Sequence, residues 1–251
     1  MRLSILVVSR TAALLNRMLS SLASATTLNG LGVEILCSWN GSEDAESEIE
    51  NNSGYELLIA QRDPYHFASN MNGLAAKANG DLLLIINDDV ILDSGSVDNA
   101  IQCLESSPHI GLVGARLRDG EGLLTHAGIL FDSRHSPYHQ LDRKVAAEHQ
   151  LVLGESRPVP AVTGALMLIR RNHVASLRFG TEYRVCGEDV GLCLDLRLKL
   201  ELEVWYCPDF SGRHDSESTR STMPNQQGNA EDMRIMRKLH REFLESAKKP
   251  Q

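Results

Sequence analysis

Closely spaced cysteines are missing from this chain of 251 residues. The cysteines are odd in number and scattered, at Cys37, Cys103, Cys186, Cys193 and Cys207. A zinc site built from cysteines needs pairs a few residues apart, and a disulfide framework needs an even, regularly spaced set. We therefore expect free thiols in a reducing compartment and no zinc-binding module.

An excess of positive charge is also missing. Lysine and arginine total 25 against 33 for aspartate and glutamate, which gives a formal net charge of -8. A general nucleic-acid binder normally presents a basic face, so the composition disfavours nucleic acid as a partner. The acidic balance is compatible with a site in which carboxylates bind a cation.

Long apolar runs are lacking as well. No segment approaches the roughly 18 apolar residues that a membrane-spanning helix requires. The apolar residues 3–8 follow Arg2 as in a signal peptide, but Arg10, Asn16 and Arg17 interrupt the run, and a first core strand fits better. We expect a cytoplasmic protein, with peripheral contact at the inner face of the membrane as an alternative.

Internal repeats and low-complexity segments are absent too. The first half instead alternates short apolar runs with amphipathic segments, which predicts an α/β protein with a mostly parallel, Rossmann-like central sheet flanked by helices. The second half is less regular and is expected to form a smaller mixed region. The predicted strands are 5–8, 33–37, 55–60, 82–86, 111–117 and 202–207, and the predicted helices are 12–25, 67–78, 96–105 and one from 188 onward.

The apolar run at residues 82–86 ends abruptly in Asn87, Asp88 and Asp89. Two adjacent carboxylates cannot lie unpaired in an apolar core, and ligands of open α/β sheets bind outside the carboxyl ends of the strands. Carboxylate oxygens in that place suit Mg²⁺ or Mn²⁺ bound to substrate phosphates. Taken alone, a strand-ending turn with solvated aspartates explains the junction equally well.

Two further polar groups stand out in the second half. Glu188 and Asp189 begin a predicted helix, where the helix dipole favours acidic side chains even without a chemical role. The segment 213–220 places His214 and Arg220 beside carboxylates and hydroxyls. Imidazole can complete a carboxylate-bound cation site, and arginine can bind phosphate through two hydrogen bonds.

Two segments between these groups are less informative. Residues 132–157 are polar and include histidines and arginines that could bind phosphate, although a solvated loop is favoured. The apolar segment 162–169 is interrupted by Thr163 and Gly164, where a missing side chain would let a substrate approach closely.

Taken in order, several of these segments resemble a known family. They are ILVVSR at 5–10, EILCSWNGSED at 34–44, NMNGLAAKANGDLLLIINDDV at 70–90, VTGALMLIRR at 162–171, GEDVGLCLDLR at 187–197 and RHDSES at 213–218. The set is similar to the family-two glycosyltransferases with a GT-A fold, among them bacterial rhamnosyltransferase-like and other polysaccharide-assembling enzymes. The resemblance implies one GT-A domain over residues 1–220, with a nucleotide-sugar-binding half at 1–110 and an acceptor and catalytic half at 111–220.

The resemblance also implies a role for each matching residue. Asp189 matches the catalytic base, and Glu188 the residue that holds the acceptor or tunes that base. Asp89 matches the metal ligand of the family's Asp-X-Asp-type motif, and His214 matches a late histidine that contacts metal or diphosphate. The implied donor-binding residues are Ser9, Arg10, Trp39, Asn70, Gly73, Asn87, Asp88 and Arg220.

The chain departs from the family's pattern at several positions. Trp39 stands where an aspartate often reads the base, so stacking or other contacts are expected there instead. Asn87 replaces the frequent first aspartate of the metal motif, and Gly191 stands where an aspartate often follows the Glu-Asp pair. The implied metal ligand and base are both retained.

The implied activity is inverting, metal-dependent sugar transfer. A divalent cation, Mn²⁺ or Mg²⁺, neutralises the departing nucleoside diphosphate, and one carboxylate takes the proton of the attacking hydroxyl. With a single base and no enzyme nucleophile, direct displacement inverts the anomeric carbon. The expected donor is a UDP-, dTDP- or GDP-linked sugar, and the expected acceptor is a glycan or lipid-linked glycan in bacterial cell-surface polysaccharide synthesis.

Two other functions are compatible with the same fold class. A sugar-1-phosphate nucleotidyltransferase would carry a Gly-rich, basic loop near its first strand, which residues 8–16 lack. A catalytically silent scaffold that binds nucleotide sugars would keep the fold without needing Asp189. The sequence alone leaves the sugar, the linkage and the oligomeric state open.

A separate tail follows at residues 221–251. Within it, residues 229–249 mix apolar and basic side chains in the pattern of an amphipathic helix. Such a helix can dock on the core, join another subunit or contact an anionic membrane, and docking on the core is the commonest of these.

Overall fold

A computed structural model describes residues 2–215 and 227–247 as a mixed α/β structure. Within these ranges no helix is long and apolar enough to cross a membrane. The strands are β1 (Leu3–Ser9), β2 (Val33–Trp39), β3 (Glu56–Gln61), β4 (Leu82–Asn87), β5 (Val90–Leu92), β6 (Ile110–Arg118), β7 (Leu124–His126), β8 (Ile129–Phe131), β9 (Pro137–His139), β10 (Arg157–Pro158), β11 (Leu166–Arg170) and β12 (Glu203–His214). The helices are α1 (Ala12–Ala25), α2 (Glu43–Glu46), α3 (Phe67–Lys77), α4 (Ser96–Glu105), α5 (Arg171–Leu177), α6 (Glu188–Lys199) and α7 (Gln227–Ser246).

The central sheet has the strand order β10-β12-β6-β11-β4-β1-β2-β3. Strands β4, β1, β2 and β3 are parallel, as the alternating pattern of the first half predicts. In the second half β11 is antiparallel to both β4 and β6, while β12 runs parallel to β6 and antiparallel to β5 and β10. The predicted fold class, a Rossmann-like sheet with a mixed second region, is confirmed.

Two apolar cores lie on opposite faces of this sheet. Ile5 and Val7 of β1 belong to the core that includes α1 and α4, while Leu6 and Val8 belong to the core that includes α3 and α6. Strands buried on both faces need apolar side chains at every position, which is why they appear in the sequence as continuous apolar runs. Because β1 and β4 are parallel and in register, their polar carboxyl-terminal ends lie together at one edge of the sheet.

The largest difference from the predicted elements is the length of β12. The prediction ends this strand at residue 207, whereas the strand continues to His214. Pro208 has no backbone N–H, and the register with β6 shifts between Cys207 and Ser211, so this stretch resembles a turn in the sequence. The extension pairs β12 with β5, a short strand that the prediction missed.

The segment 132–157 is also more ordered than a simple loop. It contains β9, which pairs with β8 in an antiparallel hairpin, and its last residue begins β10. A strand of three residues in a polar segment shows too few alternations of apolar and polar side chains to be recognised in the sequence.

Helix α7 confirms the predicted amphipathic helix and docks on the core. His240 stacks on Phe131 with ring centroids 3.7 Å apart and planes 10° apart, and the guanidinium of Arg197 lies 4.6 Å from the ring centroid of Phe243. Met236 is buried in the core beside α6. The apolar face of the described helix is therefore occupied by the core of the same chain.

The docking of α7 is expected to weaken as the pH falls. Burial lowers the pKa of His240, with further lowering by His135 and Arg197. Because the unfolded chain then binds more protons at this position, the free energy of unfolding falls as the pH drops below about 6.5. We expect Tm to fall less between pH 7.5 and pH 5.5 in His240→Phe than in the wild type.

A matched control for this test is His109→Phe, at an exposed position. Its pH dependence of Tm should equal that of the wild type. An unchanged pH dependence in His240→Phe would contradict the assignment of this proton uptake to His240.

Candidate functional site

A cleft of about 620 Å³ lies where the carboxyl-terminal ends of β1 and β4 meet the start of α6 and the end of β12. Hairpin β8–β9 and helix α7 contribute further parts of its lining. The cleft brings together eight of the residues to which the resemblance assigns a role: Ser9, Arg10, Asn87, Asp88, Asp89, Glu188, Asp189 and His214. Arg220 lies outside the described residues.

The first acidic residue of the cleft is held against the end of β1. Strands β1 and β4 are parallel with Val8 opposite Asn87, so the two strands end at the same level. The Ser9 hydroxyl donates a hydrogen bond of 2.7 Å to Asp88 Oδ2. The pKa of Asp88 is raised to about 6, chiefly by burial and also by the neighbouring Asp89, against the lowering effect of the Ser9 hydrogen bond.

The second acidic residue meets the late histidine through strand pairing. The register of β5 with β12 places Val90 opposite His214, and the Asp215 N–H donates to the Asp89 carbonyl oxygen at 3.2 Å. As a result His214 Nε2 lies 3.2 Å from Asp89 Oδ1. Asp89 is only 2% exposed.

These two side chains fit a divalent cation that is shared with a substrate. Mg²⁺ and Mn²⁺ accept carboxylate oxygens, and Mn²⁺ also accepts imidazole nitrogen. Within residues 2–215 and 227–247 no three or more potential protein ligands stand together as a metal cluster. Asp89 and His214 would therefore hold the ion together with substrate phosphates or water, which is how Mg²⁺ is usually bound in phosphate sites.

A third acidic residue lies at the start of α6. Asp189 Oδ2 accepts a hydrogen bond of 2.8 Å from the Gly164 N–H, and Oδ1 lies 2.8 Å from the Val190 nitrogen. Each carboxylate oxygen has two lone pairs, so a further hydroxyl can still donate to Asp189. A separate carboxylate in the same cleft is suited to proton abstraction.

Gly164 has a packing role that was not predicted from the sequence. A Cβ atom at this position would lie 3.3 Å from Asp189 Cβ and 3.4 Å from the ring of Phe67. The missing side chain therefore makes room for Asp189 and Phe67, rather than only for a substrate.

Three of the implied donor-binding residues lie outside the cleft lining, and two of them, Trp39 and Asn70, are buried. Trp39 is buried, and its indole N–H donates to the Ser42 carbonyl oxygen at 3.1 Å. The side chain of Asn70 accepts a hydrogen bond of 2.8 Å from the His66 N–H. A Cβ at Gly73 would meet the Gln61 side chain at 2.5 Å, so glycine is needed there for close packing. Their contacts account for a packing role, and their donor-binding roles stay predictions.

His126 is a buried cleft residue that the sequence interpretation missed. Its Nε2 accepts from the N–H groups of Gly128 at 3.3 Å and Thr163 at 3.4 Å, and its Nδ1 lies 3.1 Å from His139 Nδ1. Burial lowers the pKa of His126 well below its usual value, so the ring is neutral. The ring thus holds the backbone at Thr163. The next residue, Gly164, is the one whose N–H donates to Asp189 at the start of α6. A lone histidine within the apolar segment LTHAGIL was the available signal.

Comparison with known proteins gives a consistent result. A family model described as "Glycosyltransferase like family 2" matches residues 2–232. The O-antigen biosynthesis protein RfbC of Myxococcus xanthus is 30% identical over 163 residues, which cover 63% of this chain but 13% of that protein. The chain thus spans a small fraction of this curated relative.

Solved structures share the fold at low sequence identity. The mannosyltransferase PcManGT from Pyrobaculum calidifontis, in complex with GDP-Man and Mn²⁺, has a TM-score of 0.61 at 15% identity, over 100% of this chain and 65% of that one. S. aureus TarS 1–349 in complex with UDP-GlcNAc has a TM-score of 0.62 at 12% identity, over 94% of this chain and 65% of that one.

Proposed function

The chain belongs to glycosyltransferase family 2 and has the GT-A fold, and on that premise we propose that it is an inverting, metal-dependent glycosyltransferase. It moves a sugar from a nucleoside diphosphate to a hydroxyl group of a glycan or lipid-linked acceptor. The observation that carries this proposal is one cleft with two chemically distinct acidic groups, the Asp88-Asp89 turn and the start of α6.

The acidic turn serves the donor. Asp89 and His214 would hold a divalent cation, which would supply positive charge to the departing diphosphate. Asp88, held by the Ser9 hydroxyl, and Arg10 line the cleft beside them and contact the donor nucleotide. These roles place phosphate binding at the carboxyl ends of parallel strands, where ligands of open α/β sheets are expected to bind.

The start of α6 serves the acceptor. Asp189 takes the proton of the attacking hydroxyl, and the Gly164 N–H fixes its carboxylate through the 2.8 Å hydrogen bond. Glu188 lines the same part of the cleft and orients the acceptor. Because the base removes a proton from the acceptor and forms no bond to the sugar, the attack occurs on the face opposite the diphosphate and inverts the anomeric carbon.

The relatives support a class of donor and acceptor. PcManGT is seen with GDP-Man and Mn²⁺, and TarS with UDP-GlcNAc, so a UDP- or GDP-linked sugar is the first donor to test and a dTDP-linked sugar the next. RfbC is named for O-antigen biosynthesis, which supports an acceptor that belongs to a bacterial surface polysaccharide.

The first test is a thermal shift screen with nucleoside diphosphates and their sugars, in Mn²⁺, Mg²⁺ or EDTA. A ligand that binds only the folded state at 100 times its Kd adds about 2.7 kcal/mol to the free energy of unfolding. For a chain of this size that corresponds to a rise in Tm of about 5–10 °C. We expect this rise for one nucleotide family, with metal present and not in EDTA.

Nucleoside monophosphates are the matched control, because they lack the second phosphate that a cation would bridge. Turnover of the stabilising donor is then followed with glycan acceptors, and the anomeric configuration of the product is read by NMR. Binding without transfer to any acceptor or to water would favour a catalytically silent scaffold, and a retained anomeric configuration would contradict the inverting mechanism.

A further inference from the structure

A buried carboxylate of helix α7 holds a loop that lines the cleft. Asp232 is 0% exposed and lies on the face of α7 that contacts the core. Its two oxygens accept hydrogen bonds from three consecutive backbone N–H groups, those of Arg184 at 3.0 and 3.2 Å, Val185 at 2.7 Å and Cys186 at 3.1 Å. Hydrogen bonds to a charged acceptor are the stronger kind, and successive amides form a concave site that suits an anion.

The segment that Asp232 holds leads directly into α6. Gly187 follows it with φ of 113°, and α6 begins at the next residue, Glu188. The residue before the helix is Gly187, which has no side chain to cap it. The entry into α6 is therefore fixed from outside, by a residue of α7.

Close packing reinforces the same contact. A Cβ at Gly187 would lie 2.6 Å from the Met236 sulfur, so the backbone before α6 and the side chain of α7 are in direct contact. Arg237, at an exposed position of α7, donates from Nε to the Ser136 hydroxyl at 2.9 Å, which ties the helix to hairpin β8–β9. Helix α7 thus connects two pieces of the cleft lining that are distant in sequence.

We propose that Asp232 is a positioning residue, which holds residues 184–187 so that Asp189 and Glu188 face the acceptor. This inference rests on the proposed function, since it assigns Asp232 to the base side of that reaction. Asp232 acts through the loop and does not contact the substrate. The hydrogen bond from Gly164 holds Asp189 from the other side, so the carboxylate is placed by two independent supports.

Replacement of Asp232 by asparagine tests this role. The amide has about the same shape but carries no charge, and when its oxygen takes the place of Oδ2 its NH₂ group faces the Arg184 N–H, so the support of the loop is weakened. We expect kcat to fall about 10- to 100-fold, as for a catalytic group displaced by about 1 Å, with metal-dependent nucleotide affinity unchanged. Hydrogen exchange at the amides of residues 184–186 should become faster.

Glu231→Gln is the matched control, because Glu231 is the preceding residue and, within the described part of the chain, pairs with the exposed Arg234 at 2.6 Å. It should leave kcat and exchange as in the wild type. If Asp232→Asn does not fold, Asp232→Ser retains a hydroxyl acceptor, leaves room for water and is measured in its place. Faster exchange with wild-type kcat, unchanged exchange, or a parallel loss of nucleotide binding would each overturn the positioning role.

Exchange at these amides does not depend on turnover. A wild-type protein that binds nucleotide but transfers no sugar would overturn the proposed function, and with it the catalytic part of this inference. The exchange result would still report whether Asp232 holds the loop, so the two failures are told apart.

Discussion

Replacing Asp189 by asparagine is expected to lower kcat for sugar transfer by about 10²- to 10⁴-fold, the usual contribution of a general base. The asparagine keeps the size of the side chain, and its amide oxygen can still accept the hydrogen bond from the Gly164 N–H. It cannot take a proton from the attacking hydroxyl. Because the residue lies at the start of α6 and not at the Asp88-Asp89 turn, metal-dependent nucleotide affinity should be unchanged.

The measurement is the steady-state rate of nucleotide release with the donor that the thermal screen identifies. Asp195→Asn is the control on the same helix, since Asp195 pairs with the exposed Lys199 at 2.8 Å four residues away and such surface pairs contribute little. It should keep the wild-type rate. A rate near that of the wild type in Asp189→Asn would remove this residue as the base.

Replacing Asp89 by asparagine is expected to affect binding first. Mutation of a residue that only supports a metal ligand typically lowers metal affinity by about 10- to 100-fold. Loss of a ligand itself should therefore weaken metal-dependent nucleotide binding by about 100-fold or more. The nucleotide affinity that remains in EDTA should not change. Titration calorimetry with the nucleoside diphosphate, in Mn²⁺ and in EDTA, measures the metal-dependent and the metal-independent affinity separately.

The stability of the Asp89→Asn variant provides an internal check. Asp89 raises the pKa of the adjacent Asp88, so the two carboxylates repel each other when the metal is absent. Removing one charge should leave the Tm of the metal-free protein unchanged or higher. Asp209→Asn, at an exposed position of β12, should match the wild type in both assays. Equal nucleotide affinity in Asp89→Asn and wild type, with Mn²⁺ present, would rule out Asp89 as a ligand.

The sequence predicted the parallel half of the sheet and the location of the acidic turn. Strands buried on both faces appear as apolar runs, and the sudden change from Ile86 to Asn87 and Asp88 marks a strand end, so both features depend only on local residue order. The contact of Asp89 with His214 depends on the pairing of β5 with β12, which is long-range. Only the resemblance to known enzymes pointed to it.

Other features were not predictable for different reasons. An aromatic side chain at a strand end, or an amide side chain in the first turn of a helix, can be a ligand or a packed interior residue, and for Trp39 and Asn70 the structure shows packing contacts. Asp232, Met236 and His240 repeat every four residues on α7, so a carboxylate on an apolar stripe was visible in the sequence. Its partners are backbone amides, which carry no sequence signal.

The ladder between β5 and β12 has a consequence for how this protein can evolve. It pairs Leu92 with Gly212 and Val90 with His214, and Asp93 accepts a hydrogen bond of 2.6 Å from the Ser211 hydroxyl beside it. Side chains along a strand alternate between faces, so the gain or loss of one codon between residues 211 and 214 would turn the imidazole away from the carboxylate. A change in the length of this stretch would therefore separate the two proposed cation ligands in a single step.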